Sequence, residues 1–303
     1  MKYKNKIKFT SYSRVEVNFF MIKFTKMQGL GNDFICTEFE NTKQYNLKIF
    51  SKFVCDRHFG IGADGLILFA NSKVADFKMR IFNNDGTEAE MCGNGIRCLA
   101  KYLYEKEYTN KEEMTIETLA GIKTVKLVVE NNKIMAVRIN MGKPQTSANK
   151  LPIYLPQRYY NTNNMCKVMF RTSDKDLEGI FLSVGNPHTV IKVKNIKEIP
   201  VVKYGKIIEN YKFFPQKTNV EFVEKIDENN IRVRVWERGV GETLACGTGA
   251  VASAYAMYKE KEINNDVKVD LDGGSLRIYI NPETEEVYME GMAINVFEGE
   301  IDL

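Results

Sequence analysis

The 303-residue chain is poor in anything that staples or interrupts a fold: 7 prolines, one tryptophan, two histidines and no Cys-x-x-Cys pair. Its six cysteines, at positions 36, 55, 92, 98, 166 and 246, have no disulfide-framework spacing, and His58 and His188 are too few to suggest a zinc site. No stretch approaches the roughly 18 uninterrupted apolar residues of a membrane span, and the first 20 residues lack the apolar core and small-residue cleavage site of a secretory signal, so the cytoplasm is the expected compartment. Charge of one sign is also missing. The formal charge of +4 sits in residues 1–20, where Lys2, Lys4, Lys6, Lys8 and Arg14 face only Glu16, leaving 38 basic and 38 acidic residues over 21–303. A nucleic-acid role therefore has no support in net charge. Patterned sequence begins at Met21, so residues 1–20 read as an extension, an alternative start or a floppy arm in preference to a transit segment. With 44% hydrophobic and 27% charged residues, the remainder has the composition of a globular protein long enough for two domains.

What is present is a repeat. FKMRIFNNDGTEAEMCGNG at 77–95 aligns without gaps on IRVRVWERGVGETLACGTG at 231–249, an offset of 154, with Arg80/Arg234, Glu88/Glu242, Cys92/Cys246, Gly93/Gly247 and Gly95/Gly249 identical. The same offset places Gly31-Asn32 on Gly185-Asn186 and GLILFA at 65–70 on NVEFVE at 219–224, while IETLAG at 116–121 falls near VDLDGG at 269–274. Two copies of one domain are expected, each running strand, polar loop, cysteine, glycine turn, helix. FKMRIF and IRVRVW alternate as half-buried strands, and 96–107 and 250–262 carry helical spacing. A hairpin is expected across Asn131-Asn132, further strands around Asn281-Pro282, and a connection between the copies at 144–166.

Cys92 and Cys246 carry the chemistry. Each precedes a Gly-x-Gly turn that opens a helix, where free N–H groups and the helix dipole favour a thiolate and bind an anion, so both thiols are expected to have lowered pKa values. If a pseudo-twofold axis brings the helix starts together, a substrate carboxylate lies between them with one sulfur on each side. One thiolate then removes a hydrogen from carbon and the opposite thiol returns one to the other face, with no cofactor and no metal. Cys36, Cys55, Cys98 and Cys166 read as buried structural thiols. GIGADG at 60–65 satisfies a dinucleotide-type glycine pattern, but a strand-like run follows it where a helix is required, so no nucleotide is expected.

These residues resemble the diaminopimelate epimerase family. GLGNDF, DRHFGIGADG, FNNDGTEAEMCGNGIRC, GNPH, TNVEFV, ERGVGETLACGTGA and GGSL occur in that family's order over nearly all of 22–303. The resemblance implies conversion of LL-2,6-diaminopimelate to the meso form, in lysine and cell-wall precursor synthesis, by Cys92 and Cys246 as acid–base thiols. It implies a carboxylate cradle at Gly93-Asn94 and Gly247-Thr248, and substrate contacts from Asn32, Asn83, Asn186, Asn219, Glu237 and Arg238. Glu237 and Arg238 stand where the first copy has Asn83 and Asn84, and the expectation is that this Glu-Arg side binds the substrate's second amino-acid head. Some family members carry Gln where this chain has Gly65, so a side-chain contact is expected to be lost there. The implied fold is mixed α/β, two pseudo-symmetric domains that each wrap a curved, mostly antiparallel sheet around a central helix. The expected division is an extension at 1–20, a first domain at 21–141 plus about 292–303, and a second at 142–291, in a homodimer that binds neither nucleic acid nor membrane.

Two alternatives remain: a proline racemase-like enzyme, which has no need of a Glu-Arg site, and a non-catalytic redox or binding protein in which the thiols form a disulfide. His188 is read evenly as structural or as a support beside a thiol, and His58 as structural. Glu88 and Glu242 read as helix-start caps or thiol partners, with a structural role favoured, and Trp236 as core.

Overall fold

A computed structural model describes residues 21–154 and 165–302. The expectations for residues 1–20, and the middle of the connection expected at 144–166, lie outside the described residues. Among those described, no helix is long and apolar enough to cross a membrane.

The first half runs β1 (Met21–Gly29), β2 (Asn32–Glu38), α1 (Leu47–Cys55), β3 (Gly65–Asn71), β4 (Phe77–Asn83), β5 (Glu88–Ala89), α2 (Gly93–Glu105), β6 (Glu113–Thr118), β7 (Gly121–Glu130) and β8 (Lys133–Gly142). The second runs β9 (Cys166–Arg171), β10 (Asp176–Ser183), β11 (Pro187–Val193), α3 (Val201–Glu209), β12 (Asn219–Lys225), β13 (Asn230–Glu237), β14 (Gly241–Thr243), α4 (Gly247–Lys259), β15 (Asp266–Leu271), β16 (Gly274–Ile280), β17 (Val287–Gly291) and β18 (Ile294–Asp302). The 154-residue offset maps α1 onto α3, β3 onto β12 and α2 onto α4 residue for residue.

Strand pairing repeats this symmetry. The ladder runs β18-β1-β2-β3-β4-β6-β7-β8, crosses to β17, and continues β16-β15-β13-β12-β11-β10-β9. Only β2–β3, β4–β6, β11–β12 and β13–β15 are parallel. The last strand, β18, lies antiparallel on β1, in the place that β9 takes beside β10. The chain's C-terminal strand thus completes the sheet that its first strand begins.

Each sheet curls around one helix, because α2 and α4 are buried on nearly every face and have no solvent side to offer. α4 manages this with alanine: Ala250, Ala252, Ala254 and Ala256 are all inaccessible, which lets surrounding strands approach closely. Both helices begin at the glycines themselves, three residues before the expected 96 and 250. The Asn131-Asn132 hairpin is present, with φ of 50° and 60° at the two turn residues, the conformation asparagine tolerates best after glycine. α1 and α3 carry too short a pattern to stand out in the sequence. Asn46 caps α1 by accepting from the N–H groups of Lys48 and Ile49, and Phe50, Val54 and Cys55 bury one face against β3 and β4.

Glu88 and Glu242 are neither caps nor thiol partners. Each pairs with the matched arginine across its hairpin, Arg80 Nε to Glu88 Oε1 at 2.7 Å and Arg234 Nη2 to Glu242 Oε1 at 2.6 Å. Trp236 is partly buried over Gly205, where a Cβ would come within 2.5 Å of its ring, and its indole N–H donates to Glu209. His58 is exposed.

Candidate active site

The starts of α2 and α4 meet over Met289 of β17. A Cβ on Gly247 would lie 3.9 Å from the Gly93 Cα and 3.1 Å from the Met289 sulfur, and one on Gly93 would lie 2.8 Å from the Met289 methyl. Side chains at these two positions would separate the helices, so glycine is what allows the approach. Cys92 and Cys246, each the residue before its helix, are thereby brought to one place with extended backbones, φ −136° and −121°.

The surroundings differ on the two sides. Cys92 donates to the Oδ1 of Asn32 at 3.6 Å, and that oxygen also accepts from Asn94 Nδ2 at 3.3 Å. The orientation of Asn32 is imposed from below: its Nδ2 donates to Asp64 Oδ2 at 2.9 Å, and a carboxylate accepts only from the NH₂ end of an amide. Asp64 is itself fixed by Arg57, which also bonds Asp33, and buried Lys26 reaches both Asp33 and the carbonyl of Gly62. Burial alone would raise the Asp33 carboxyl, but hydrogen bonds from Arg57 and Lys26 hold it well below the usual carboxylate range.

On the other side, His188 is fully buried, with Nδ1 2.6 Å from Glu221 Oε1 and Nε2 2.9 Å from Asn186 Oδ1. A carbonyl oxygen only accepts, so Nε2 carries a proton. Asn186 then donates through Nδ2 to Thr248 Oγ1 at 3.4 Å, which leaves the Thr248 hydroxyl to donate to the Cys246 sulfur, also at 3.4 Å. The N–H of Gly249 donates to the same sulfur. His188 is therefore a support behind the site, and Glu221, whose Oε2 is buried with no hydrogen-bond partner among the described residues, stands behind it.

The thiol pKa values run against expectation. Burial pushes Cys92 up, opposed by the N–H groups of Gly95 and Asn94, with Glu237 adding to the rise and Arg97 opposing it. Cys246 is pushed well up by burial and then by the negative charges of Glu237 and Glu221, against hydrogen bonds from Thr248 and Gly249. Two helix starts enclosed together lose more from desolvation than their dipoles return. Glu237 is itself raised by burial, against a 2.6 Å hydrogen bond from the Thr243 hydroxyl.

The expected substrate residues fall into two groups. Asn32, Asn94, Asn186, Thr248 and the four glycines of the two turns surround the thiols, and Glu237, expected at the far head, stands within electrostatic reach of both sulfurs. Asn83 and Arg238 are exposed at strand ends, Asn83 bonded to Thr87 and the Arg238 guanidinium to the carbonyl of Gln216. Asn219 is buried, and both ends of its amide hold backbone, the carbonyl of Pro187 and the N–H of Arg238. Gly65 opens β3, where a Cβ would lie 3.0 Å from the carbonyl of Phe82 and 3.4 Å from the Phe34 ring. Asp64, Glu221 and Arg97 were not singled out from the sequence, although each lies inside a quoted motif. For Glu221 and Arg97 the signal is a charged residue at a position whose strand or helix phase is apolar; Asp64, in the loop before β3, has none.

Two helix starts that meet, each with a cysteine immediately before it, belong here to an isomerase fold. The fold is shared with a hydroxyproline epimerase from Agrobacterium vitis, solved with trans-4-hydroxy-L-proline bound, at a TM-score of 0.68 and 12% identity over 95% of this chain and 93% of that one. It is shared also with a PhzF-family phenazine biosynthesis protein from Bacillus anthracis, at a TM-score of 0.63 and 20% identity over 93% and 99%. Within that fold the chain belongs to the diaminopimelate epimerase family, whose profile matches residues 24–147 and 180–296. It is 48% identical to a diaminopimelate epimerase of Methanococcus maripaludis over 93% of this chain and the whole of that one, and 45% identical to one of Agathobacter rectalis over the same shares.

Proposed function

We propose that this chain interconverts LL-2,6-diaminopimelate and meso-diaminopimelate with Cys92 and Cys246 as the two acid–base groups, the reaction that supplies lysine and cell-wall precursors. The observation that carries the reading is the meeting of the two helix starts at Gly93 and Gly247, with a cysteine immediately before each. A carboxylate at this junction accepts from the N–H groups of Gly93-Asn94 and Gly247-Thr248, which preorganises donors for the charge that grows on its oxygens when the α-proton leaves. One thiolate takes that proton and becomes a thiol. The opposite thiol gives its proton to the other face of the same carbon and becomes the thiolate.

Glu237 takes the ammonium beside the reacting carbon, because its carboxylate lies against the thiols. Pairing it with a cation also removes a like charge that raises both sulfurs, so substrate binding itself eases thiol ionisation. Asn32 and Asn186 border this centre. Arg238, with Asn83 at the rim and Asn219 holding the Arg238 backbone, receives the distal carboxylate, for which a guanidinium is a suitable partner. This reading assigns Glu237 and Arg238 to different substrate heads.

The same reading divides the chain into lobes at 21–141 plus about 292–303 and at 142–291, supported by the ladder of β18 on β1. It places the enzyme in the cytoplasm as a homodimer with no nucleic-acid or membrane partner. The edge strand β18 supports the dimer: Ile294, Val296 and Phe297 are exposed at its start. The test is incubation of the purified chain, without added cofactor, with LL-diaminopimelate, the meso form, proline and hydroxyproline, followed by chiral chromatography. Interconversion of the first two is expected. Inversion of the prolines alone would overturn the reading.

A further inference from the structure

Arg97, at the start of the second turn of α2, is fully buried, and among the described residues no carboxylate pairs with it. Its guanidinium bonds only neutral acceptors: Nη2 to Asn94 Oδ1 at 2.8 Å, Nη1 to the Gly93 carbonyl at 3.2 Å and to the Met289 sulfur at 3.9 Å, and Nε to the Met292 carbonyl at 3.4 Å. The fold makes room for it on both sides. A Cβ on Gly29 would come within 3.2 Å of Nη2, and one on Gly291 within 3.2 Å of Nε. At the matched position of α4 the chain has Val251, so the duplicated scaffold does not require a cation here. Burying an unpaired charge is costly, and a fold keeps one where an anion arrives to meet it.

Two of its bonds connect it to the cradle. Gly93 C=O and Asn94 N–H are the two ends of one peptide group, so a cation on the oxygen makes the N–H a stronger donor. Asn94 Oδ1 is gripped by Nη2, which turns Asn94 Nδ2 outward onto Asn32 Oδ1, the atom that accepts from Cys92. Accepting the epimerase reading above, we propose that Arg97 is a positioning residue that orients Asn94 and Asn32 and supplies a standing countercharge beneath the Cys92 half of the cradle, for the thiolate and for the charge growing on the substrate carboxylate. Among the described residues, the charged and titratable groups that act most on Cys92 are Glu237 from β13, Cys98 further along α2 and Arg97 itself. Of these Arg97 alone is positive, and it draws the Cys92 thiol down against burial.

The test compares Arg97→Met and Arg97→Lys with the parent protein, using circular dichroism and thermal melting to establish folding. Arg97→Met is expected to lower kcat by about 50-fold while changing KM less than about fivefold, because the lost interaction grows in the transition state. It should also move the pH midpoint for iodoacetamide alkylation of Cys92, resolved by peptide mass spectrometry, upward by about one unit and leave that of Cys246 in place. Arg97→Lys keeps the charge without the fork, so its Cys92 midpoint should stay near the parent's while kcat recovers only partly. If Arg97→Met does not fold, the lysine variant decides alone: a parental midpoint with lowered kcat supports the proposal, and parental values for both overturn it. A folded Arg97→Met with kcat within about threefold of the parent and an unmoved Cys92 midpoint overturns it as well. The alkylation readout requires no substrate, so it remains interpretable if diaminopimelate proves to be the wrong substrate.

Discussion

In the first lobe Asn32 is gripped through its amide nitrogen by Asp64; in the second its counterpart Asn186 is gripped through its amide oxygen by His188. The first therefore presents an acceptor to Cys92. The second passes a chain of donors through Thr248 to Cys246. The pattern extends beyond these two residues: Arg97 faces Val251, Asn83 faces Glu237, and Ile67 faces Glu221 at the same offset. Duplication gives two equivalent helix starts, and the substitutions around them give the thiols different electrostatic surroundings. An inverting enzyme requires this combination, since two bases must stand in mirror-related positions while the substrate lies in one orientation only.

The largest effect on this comparison should come from making the halves alike at Glu237. Glu237→Gln removes a carboxylate that acts on both thiols and should lower kcat/KM by about 100- to 1,000-fold, since a buried charge partner of the substrate is lost. Near-parental kinetics would place the ammonium elsewhere.

Next comes the contact between lobes. A Cβ on Gly273 would lie 2.2 Å from the carbonyl of Leu30, at the turn between β1 and β2, whereas the matched position in the first lobe already carries Ala120. Gly273→Ala should force the lobes apart at that contact and lower kcat/KM by about 10- to 100-fold with secondary structure intact, whereas Ala120→Gly should change it by less than about twofold. Equal effects would mean that the contact does not govern closure.

The supports of the paired asparagines should matter less. Asp64→Asn and Glu221→Gln each free one asparagine to rotate and should lower kcat by about tenfold, a typical cost for a lost orienting partner. A Glu221→Gln variant with unaltered kcat would make the His188 pair purely structural.

The smallest effect concerns pH in the free protein. Both thiols are raised, and a raised thiol holds its proton to higher pH, so alkylation of Cys92 and Cys246 should still be climbing above about pH 8.5, the reference value for cysteine. Glu237→Gln should shift both curves to lower pH, speeding alkylation while slowing turnover. A plateau below pH 7 in the parent would contradict the account.

Much of this was legible in the residues. The repeat implies two similar halves, because gapless blocks at one offset leave little freedom for different topologies, and a cysteine before Gly-x-Gly implies a helix start. The parts that stayed hidden depend on three-dimensional enclosure. Whether a thiol at a helix start is lowered or raised is decided by how tightly the second helix seals the first, which no spacing in the chain records. Glu237 and Arg238 are neighbours in sequence, but β13 ends between them: Glu237 is partly buried near the sulfurs and Arg238 is exposed on the turn that follows. α1 and α3 are hard to read in the sequence because these nine-residue helices expose apolar residues such as Ile49, Phe53 and Val202, which blur the pattern.

The central claim is that each thiol serves one face of one carbon. Hydrogen exchange in heavy water by Cys92→Ser and Cys246→Ser, with each stereoisomer supplied separately, tests it directly, since a serine hydroxyl is far too weak a base to replace a thiolate near neutral pH. The account predicts that inversion collapses in both variants, that each still exchanges the α-hydrogen of one stereoisomer, and that the two variants prefer opposite stereoisomers. Inversion near the parental rate by either variant, or exchange of the same stereoisomer by both, would contradict it.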